Sequence, residues 1–436
     1  MSSMTNKFYF FAKNKLQPIY RSLTGKGNLK TLRLMKKKFP ELKINYFESG
    51  KKVFDWKVPN EWNIKNAYIS DKFGNKIIDF KKNFLHVVGY SKRVNKIVNK
   101  KKLLELLIVN EKLPNAIPYV TAYYKKNFFG FCSSLNQKKN IIRNYKNTDN
   151  FKIFIDSNFN NKGKMHYGEF IIKGKSKDEI LVSTYICHPQ MANNELSGPI
   201  VSMSLMDYFY KKSKKKTLSK TLRFIFIPET IGSISYLSKH IEYLKKNIVA
   251  GYNLSCIGDE RQHSCMLSRD KNSISDRALL ETYKKLGIKP KIYSFLERGS
   301  DERQYNFPKV DLPISSIFRS KYADYNEYHT SLDDFNLVTP KGIRGGFNIA
   351  KSAIELILKS IYPKCKTICE PNMGKRGLYP LVSENKRNNE LMNRMNFITY
   401  ADGKLTLDEI AKEIKISPKK SLSIFNFLKK QDLIYN

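Results

Sequence analysis

The chain has 436 residues, 79 Lys and Arg against 39 Asp and Glu for a formal net charge of +40, and 41% hydrophobic residues. That length suffices for two or three domains, and the apolar share excludes a disordered chain. No apolar run approaches the roughly 18 residues of a membrane helix, and "FYFFA" at Phe8 to Ala12 is too short for a secretory signal, so no membrane association and a cytoplasmic location are expected.

The six cysteines, at 132, 187, 256, 265, 365 and 369, form no CxxC and are expected to be reduced thiols. The lysines are spread along the whole chain beside abundant Asn, Ile, Tyr and Phe. That spread favours a compositional bias over a nucleic-acid surface, which would cluster its cations. The densest run, "KKSKKKTLSK" at Lys211 to Lys220, is expected to be a solvated loop at the entry end of a strand.

In chain order, "NLKTLRLMKKKF" (28–39) has helical spacing, with Leu29, Leu32, Leu34, Met35 and Phe39 apolar. "GKGNLKT" at Gly25 lacks a preceding strand and the phosphate-loop lysine context. From 51 to 147 short aromatic and β-branched runs broken by turn residues predict a small β-rich module with one helix near 100–109. Trp56 and Trp62 are both expected in its core, because indole buries a large apolar area. From 151 to 360 strands alternate with helices. "EILVSTYIC" (179–187) and "TLRFIFIP" (221–228) read as strands buried on both faces of a largely parallel sheet, covered by helices near 198–211, 232–245, 276–287 and 341–360. After an irregular segment from 362 to 381, Thr406 with Glu409 forms a capping-box pattern ahead of the face Leu407, Ile410, Ala411 and Ile414. Ser417-Pro418 then opens a second helix, which predicts a winged helix-turn-helix.

The chemistry-bearing residues sit at strand ends. His188 follows "EILVSTYIC", Glu229 follows "RFIFIP", Asp259 lies in "NLSCIGDE", and His329 lies in "YADYNEYHTSLDDF". In open α/β sheets sites gather at the carboxyl ends of strands. Two histidines and several carboxylates there supply the donors that zinc accepts, with a carboxylate left to take a proton from water. The plainer alternatives stay open: a hydrogen-bonded structural histidine, and a Glu229 stabilised by a helix N-terminus. "RGSDERQY" (298–305) reads equally as a surface ion-pair loop or a substrate clamp. His86, His166, His240 and His263 receive no role.

"ICHP" with "NNELSG", "PETIGSISYL", "IGDE", "RGSDERQY" and "YHTSLDD" follow, in order, the landmarks of the co-catalytic zinc aminopeptidases. More closely, the chain resembles an aminopeptidase-like family with an inserted β domain and a C-terminal winged helix, often associated with polysaccharide biosynthesis. "RSLTGKG" and "KVFDWKVPNEWNI" match its early part. The resemblance implies a zinc-exopeptidase-like fold with a mixed, largely parallel sheet flanked by helices. It implies domains at 1–50 with 148–362, an insert at 51–147 and a winged helix at 383–436.

By position, the resemblance makes His188 the first metal histidine, Glu229 the general base, Asp259 a separate carboxylate ligand and His329 the last metal histidine. Departures accompany it: Gln190 stands two residues after the first histidine in place of an aspartate, Asn194 takes the bridging aspartate's position beside Glu195, and Thr230 replaces the second glutamate of a pair. These point to one zinc ion held by His188, Glu195 and His329, with Asp259 in reserve, as in the related single-zinc glutaminyl cyclases. Asn194, Arg298, Asp301 and Tyr328 are the expected substrate contacts.

The function so implied is zinc-dependent hydrolysis of an amide bond in a small peptide or an acylamino-sugar. The alternative is a catalytically decayed ligand sensor with a winged-helix output. From Ser383 to Asn436 there are ten Lys or Arg and seven Asp or Glu, net +3 where the chain average gives about +5. Specific DNA binding is therefore not expected, and the winged helix is read as protein-contacting or dimerising.

Overall fold

The computed structural model describes residues 2–125, 127–379 and 389–436, in two compact units, Met1–Ile354 and Glu355–Asn436. Within the first, the two apolar runs form strands Glu179–Tyr185 and Thr221–Ile227, buried at every position and paired in parallel. Side chains of both parities are apolar in these runs, so both faces must be covered. They lie near the middle of an eight-stranded sheet. Its order is Lys43–Glu48, Lys164–Ile172, Thr221–Ile227, Glu179–Tyr185, Ile248–Leu254, Ile314–Phe318, Ser264–Met266, Lys291–Tyr293.

The sheet is mixed. The central pairs are parallel, whereas Lys164–Ile172 runs antiparallel to both its neighbours and Ser264–Met266 runs antiparallel to Ile314–Phe318. Helices Lys26–Lys38, Ser197–Lys215, Ile231–Asn247, Ile274–Lys285 and Pro340–Lys359 accompany it, close to the positions their spacing predicts. The lysine run is divided: its first half is the exposed end of Ser197–Lys215 and residues 216–220 form the expected loop before Thr221–Ile227. Its last member, Lys220, is buried with its ammonium 3.8 Å from Asp178.

The insert builds a four-stranded antiparallel sheet in the order Lys76–Asp79, Glu61–Ser70, Asn150–Asn160, Val94–Asn99. Its long strand Asn150–Asn160 carries the β module past the boundary expected at 147, because its alternating buried residues Phe151, Ile153 and Ile155 complete that module's apolar core. Trp62 is in the core, with its indole N–H donating to the Ser91 carbonyl at 2.9 Å. Trp56 is 40% exposed, which corrects the expectation for it: it lies on a two-residue strand paired only with Lys52–Val53, too small a surface to bury an indole.

The second unit has an apolar core of its own, centred on Met373, Phe397, Ile410, Phe425 and Leu428. The Thr406 and Glu409 capping box opens helix Leu407–Glu413, and the Ser417 hydroxyl caps Pro418–Lys430. The last strand, Ile434–Tyr435, pairs with Lys364–Cys365, so this unit starts well before the boundary expected at 383, a position outside the described residues. Among the described residues, no helix is long and apolar enough to cross a membrane.

Candidate active site

Because Tyr185 pairs with Ile227, the segments that follow them leave the sheet side by side at its carboxyl edge. The Ile186 amide donates to the Ile227 carbonyl at 2.9 Å and the Glu229 amide to Cys187 Sγ at 3.2 Å. These bonds set His188 Nε2 at 3.5 Å from Glu229 Oε2. The His329 ring lies 5.5 Å from the His188 ring, centroid to centroid, in a left-handed backbone conformation at φ 54. His329 Nε2 is buried with no hydrogen-bond partner. Burial and the neighbouring His188 push its pKa well below the ordinary value, which keeps the ring neutral.

A buried chain of polar groups holds His188. Its amide and Nδ1 both face Glu195 Oε2, at 3.0 and 3.1 Å, while Arg21 Nε donates to Glu195 Oε1 at 2.9 Å and to the His188 carbonyl at 3.1 Å. Burial would lower the His188 pKa, but Cys187, Glu195 and Glu229 outweigh it and hold it well above the ordinary value. Among the described residues, Cys187, His188 and Glu195 form the group of three ligand-type atoms lying within 4.8 Å of one another. Hydrogen bonds join them, with Glu195 accepting from Arg21 and the His188 amide, and burial raises the Cys187 thiol to about 11. The Glu195 carboxylate, expected as a ligand, also orients the histidine ring.

Asp259 is likewise committed. Its oxygens accept from the Ser320 amide and hydroxyl, the Arg261 amide and Asn193 Nδ2, at 2.8 to 3.0 Å, so it braces two loops and has no lone pair to spare as a reserve ligand. Asn194 donates Nδ2 to the Tyr185 hydroxyl at 2.9 Å, and its Oδ1 is buried without a partner.

Glu229 is partly exposed, and desolvation raises its carboxyl above the usual range against the pull of His188. The Ser300 hydroxyl donates to its Oε1 at 2.5 Å. Thr230 adopts φ 64 and ψ −76, with the Ile231 amide donating to the Glu229 carbonyl at 2.8 Å, a tight three-residue turn that is strained for a β-branched residue. Asp301 Oδ1 accepts from the Thr230 amide and the Ser233 hydroxyl, both at 2.7 Å, and Arg303 donates to the Thr230 hydroxyl at 2.5 Å. "RGSDERQY" is thus more than a surface ion-pair loop. It turns Ser300, Asp301 and Glu302 inward to hold the strained turn and the Glu229 carboxylate.

One expected substrate contact, Asp301, is corrected accordingly. Asp301 is fully buried beneath the turn, and Arg298 is exposed with its guanidinium over the Phe295 ring. Tyr328 is at the site, stacked 3.9 Å from the His329 ring.

Sequence reasoning passed over four residues that build this site. Tyr119, from the insert, sets its ring 5.2 Å from His188 and 5.1 Å from His329, and its amide donates to the His329 carbonyl at 2.8 Å. Asp333 accepts the amides of Ala192, Asn193 and Asn194 and so anchors the turn that carries Glu195. Arg21 and Ser300 are the others. Of these, Asp333 and Ser300 lay inside quoted motifs beside the site residues, and Arg21 opens the quoted "RSLTGKG". Gln190 also gains a function here, since its Oε1 accepts the Phe84 amide at 2.9 Å and ties the insert down beside His188.

A family model described as a domain of unknown function, DUF4910, matches residues 10–360. The chain belongs to this family. A winged helix-turn-helix model matches residues 360–436 of the same DUF4910 chain. It is similar to a Clostridium acetobutylicum protein named for polysaccharide biosynthesis and an aminopeptidase-like domain, at 36% identity over 87% of this chain and 85% of that one. A crystal structure from the same organism, described as a peptidase, aligns with a TM-score of 0.78 and 32% identity, covering 100% of this chain and 97% of the other. A zinc aminopeptidase from Bacillus subtilis aligns with a TM-score of 0.59 over 82% of this chain and 95% of its own, and at 12% identity it shows the fold alone. The DUF4910 core is therefore an aminopeptidase-like α/β domain.

Proposed function

We propose that the protein is a zinc-dependent hydrolase that cleaves an amide bond. The observation that carries this reading is the approach of His188 Nε2 to Glu229 beside the unpartnered, neutral His329 imidazole. Two buried lone-pair donors, His329 Nε2 and Asn194 Oδ1, lack a partner, and leaving each so costs about 1–3 kcal/mol. A bound cation is the proposed partner of these groups. His188 and His329 would hold it, with Asn194 and Glu195 as the nearby oxygen donors. When bound, zinc polarises a substrate carbonyl and lowers the pKa of water.

Glu229 accepts the proton of the attacking water and delivers it to the leaving amine, a task suited to a carboxylate whose pKa burial has raised. Ser300 fixes the orientation of that carboxylate, and the Arg21–Glu195 pair fixes the ring of His188. Tyr119 and Tyr328 wall the site and restrict water. The Clostridium relative's name supports an acylamino-sugar or a sugar-linked peptide as substrate. Free cysteines throughout fit a reducing, cytoplasmic setting. The winged unit is proposed to contact protein or a second copy rather than DNA.

The test is metal stoichiometry, thermal stability and amide turnover for the parent and three variants. About one zinc per chain is expected, lost in His188→Ala and His329→Ala, and kept in Glu229→Gln with turnover abolished. Loss of metal from Glu229→Gln with retention in His188→Ala would reverse the roles of base and ligand.

A further inference from the structure

Apart from the histidine site, the insert and its neighbouring loops enclose an open cavity of about 610 Å³. That volume falls within the range of small-molecule sites. Its back is Tyr90, buried and stacked at 5.4 Å on Trp62, with its hydroxyl held by Thr24 at 2.6 Å. Tyr123 and Phe159 flank Tyr90 with ring centroids 6.2 and 6.1 Å away, and Phe159 is 45% exposed. Tyr90 is buried and braces this aromatic wall, and Tyr123 and Phe159 offer its accessible ring surface.

The charge around this wall has one sign. Lys57, Lys92 and Lys125 line the cavity, no acidic residue lines it, and among the described residues none of the three has a carboxylate partner. Asn60 and Asn127 add amide donors and acceptors at the rim. Flat rings match the C–H faces of a pyranose, ammonium groups match a carboxylate, and amides match hydroxyls. We propose that this cavity binds an acidic sugar, a uronic-acid type unit of one or two residues. Binding there requires neither the metal nor Glu229, so it stands or falls apart from amide hydrolysis.

The experiment is calorimetric titration of the full chain with digalacturonate, with cellobiose as the neutral disaccharide and with UMP as a nucleotide probe. Digalacturonate is expected to bind one per chain, at least tenfold more tightly than cellobiose, and to weaken as salt rises. The double variant Lys57→Gln/Lys92→Gln alters side chains at the cavity's edge and should weaken digalacturonate at least tenfold with an unchanged melting temperature. Tyr123→Ala should weaken digalacturonate and cellobiose together. Equal affinity for cellobiose would overturn the acidic assignment, tighter binding of UMP would replace the sugar with a nucleotide, and no heat from any probe would dismiss the site. Binding retained by Glu229→Gln separates this outcome from the fate of the hydrolase reading.

Discussion

Around His188 the chain buries Arg21, Glu195, Asp259, Asp301, Glu302 and Asp333 almost completely, each tied into hydrogen bonds from other elements. The C-terminal unit buries Met373, Phe397, Ile410, Leu428 and Leu433, and among its described residues no charged side chain is buried. The contrast separates two kinds of order. Apolar packing is tolerant of small changes and needs only patterning and volume. Buried charge fixes direction, because an ion pair that loses one member leaves the other stranded in low dielectric. A site needs the second kind, and a folded module needs only the first.

The sharpest way to break this comparison is Arg21→Met. It strands Glu195 beneath His188 and is expected to cost about 3–5 kcal/mol in urea denaturation of the first unit, with loss of zinc uptake. A cost below about 1 kcal/mol would show that the buried chain is dispensable. Leu428→Ala should cost about 3 kcal/mol, as core truncations do, but only in the transition of the C-terminal unit. Metal content and the unfolding of the first unit should stay unchanged. A shift of both transitions would mean that the two units do not fold independently.

A third test uses acid. Burial and the Arg319 guanidinium lower the His263 pKa to about 4, so its folded value lies below its unfolded value near 6.5. Its contribution is therefore fully present above pH 6.5 and is lost as pH falls towards about 4. The ring is half-buried, and after allowance for solvent screening the effect is about 1–2 kcal/mol. His263→Gln should flatten the fall in stability between pH 6.5 and 4 by that amount, read from denaturation midpoints across the range. The smallest effect is expected from Thr406→Ala, which removes a helix cap in the second unit at about 1 kcal/mol. Amide exchange should quicken in Leu407–Glu413 and not around His188.

Much of the fold was legible because its signals are local. Short runs rich in apolar residues mark the strands Glu179–Tyr185 and Thr221–Ile227, and the pair Thr406 and Glu409 marks a helix start within four positions. The same locality put His188 and Glu229 at strand ends, and order along the chain was enough to join them to His329. What the sequence did not determine was the use of each carboxylate. Glu195 stands seven residues from His188 and has the chemistry of a ligand, but Arg21, 174 positions away, takes one of its oxygens and turns it into a support. Asp259 reads as a ligand until Ser320 and Asn193 occupy it, and Tyr119 reads as part of a strand until it sets its ring against both histidines. A side chain's chemical type is written in the sequence. Whether its lone pairs are free depends on which distant groups the folded chain brings within 3 Å, and only the tertiary structure decides that.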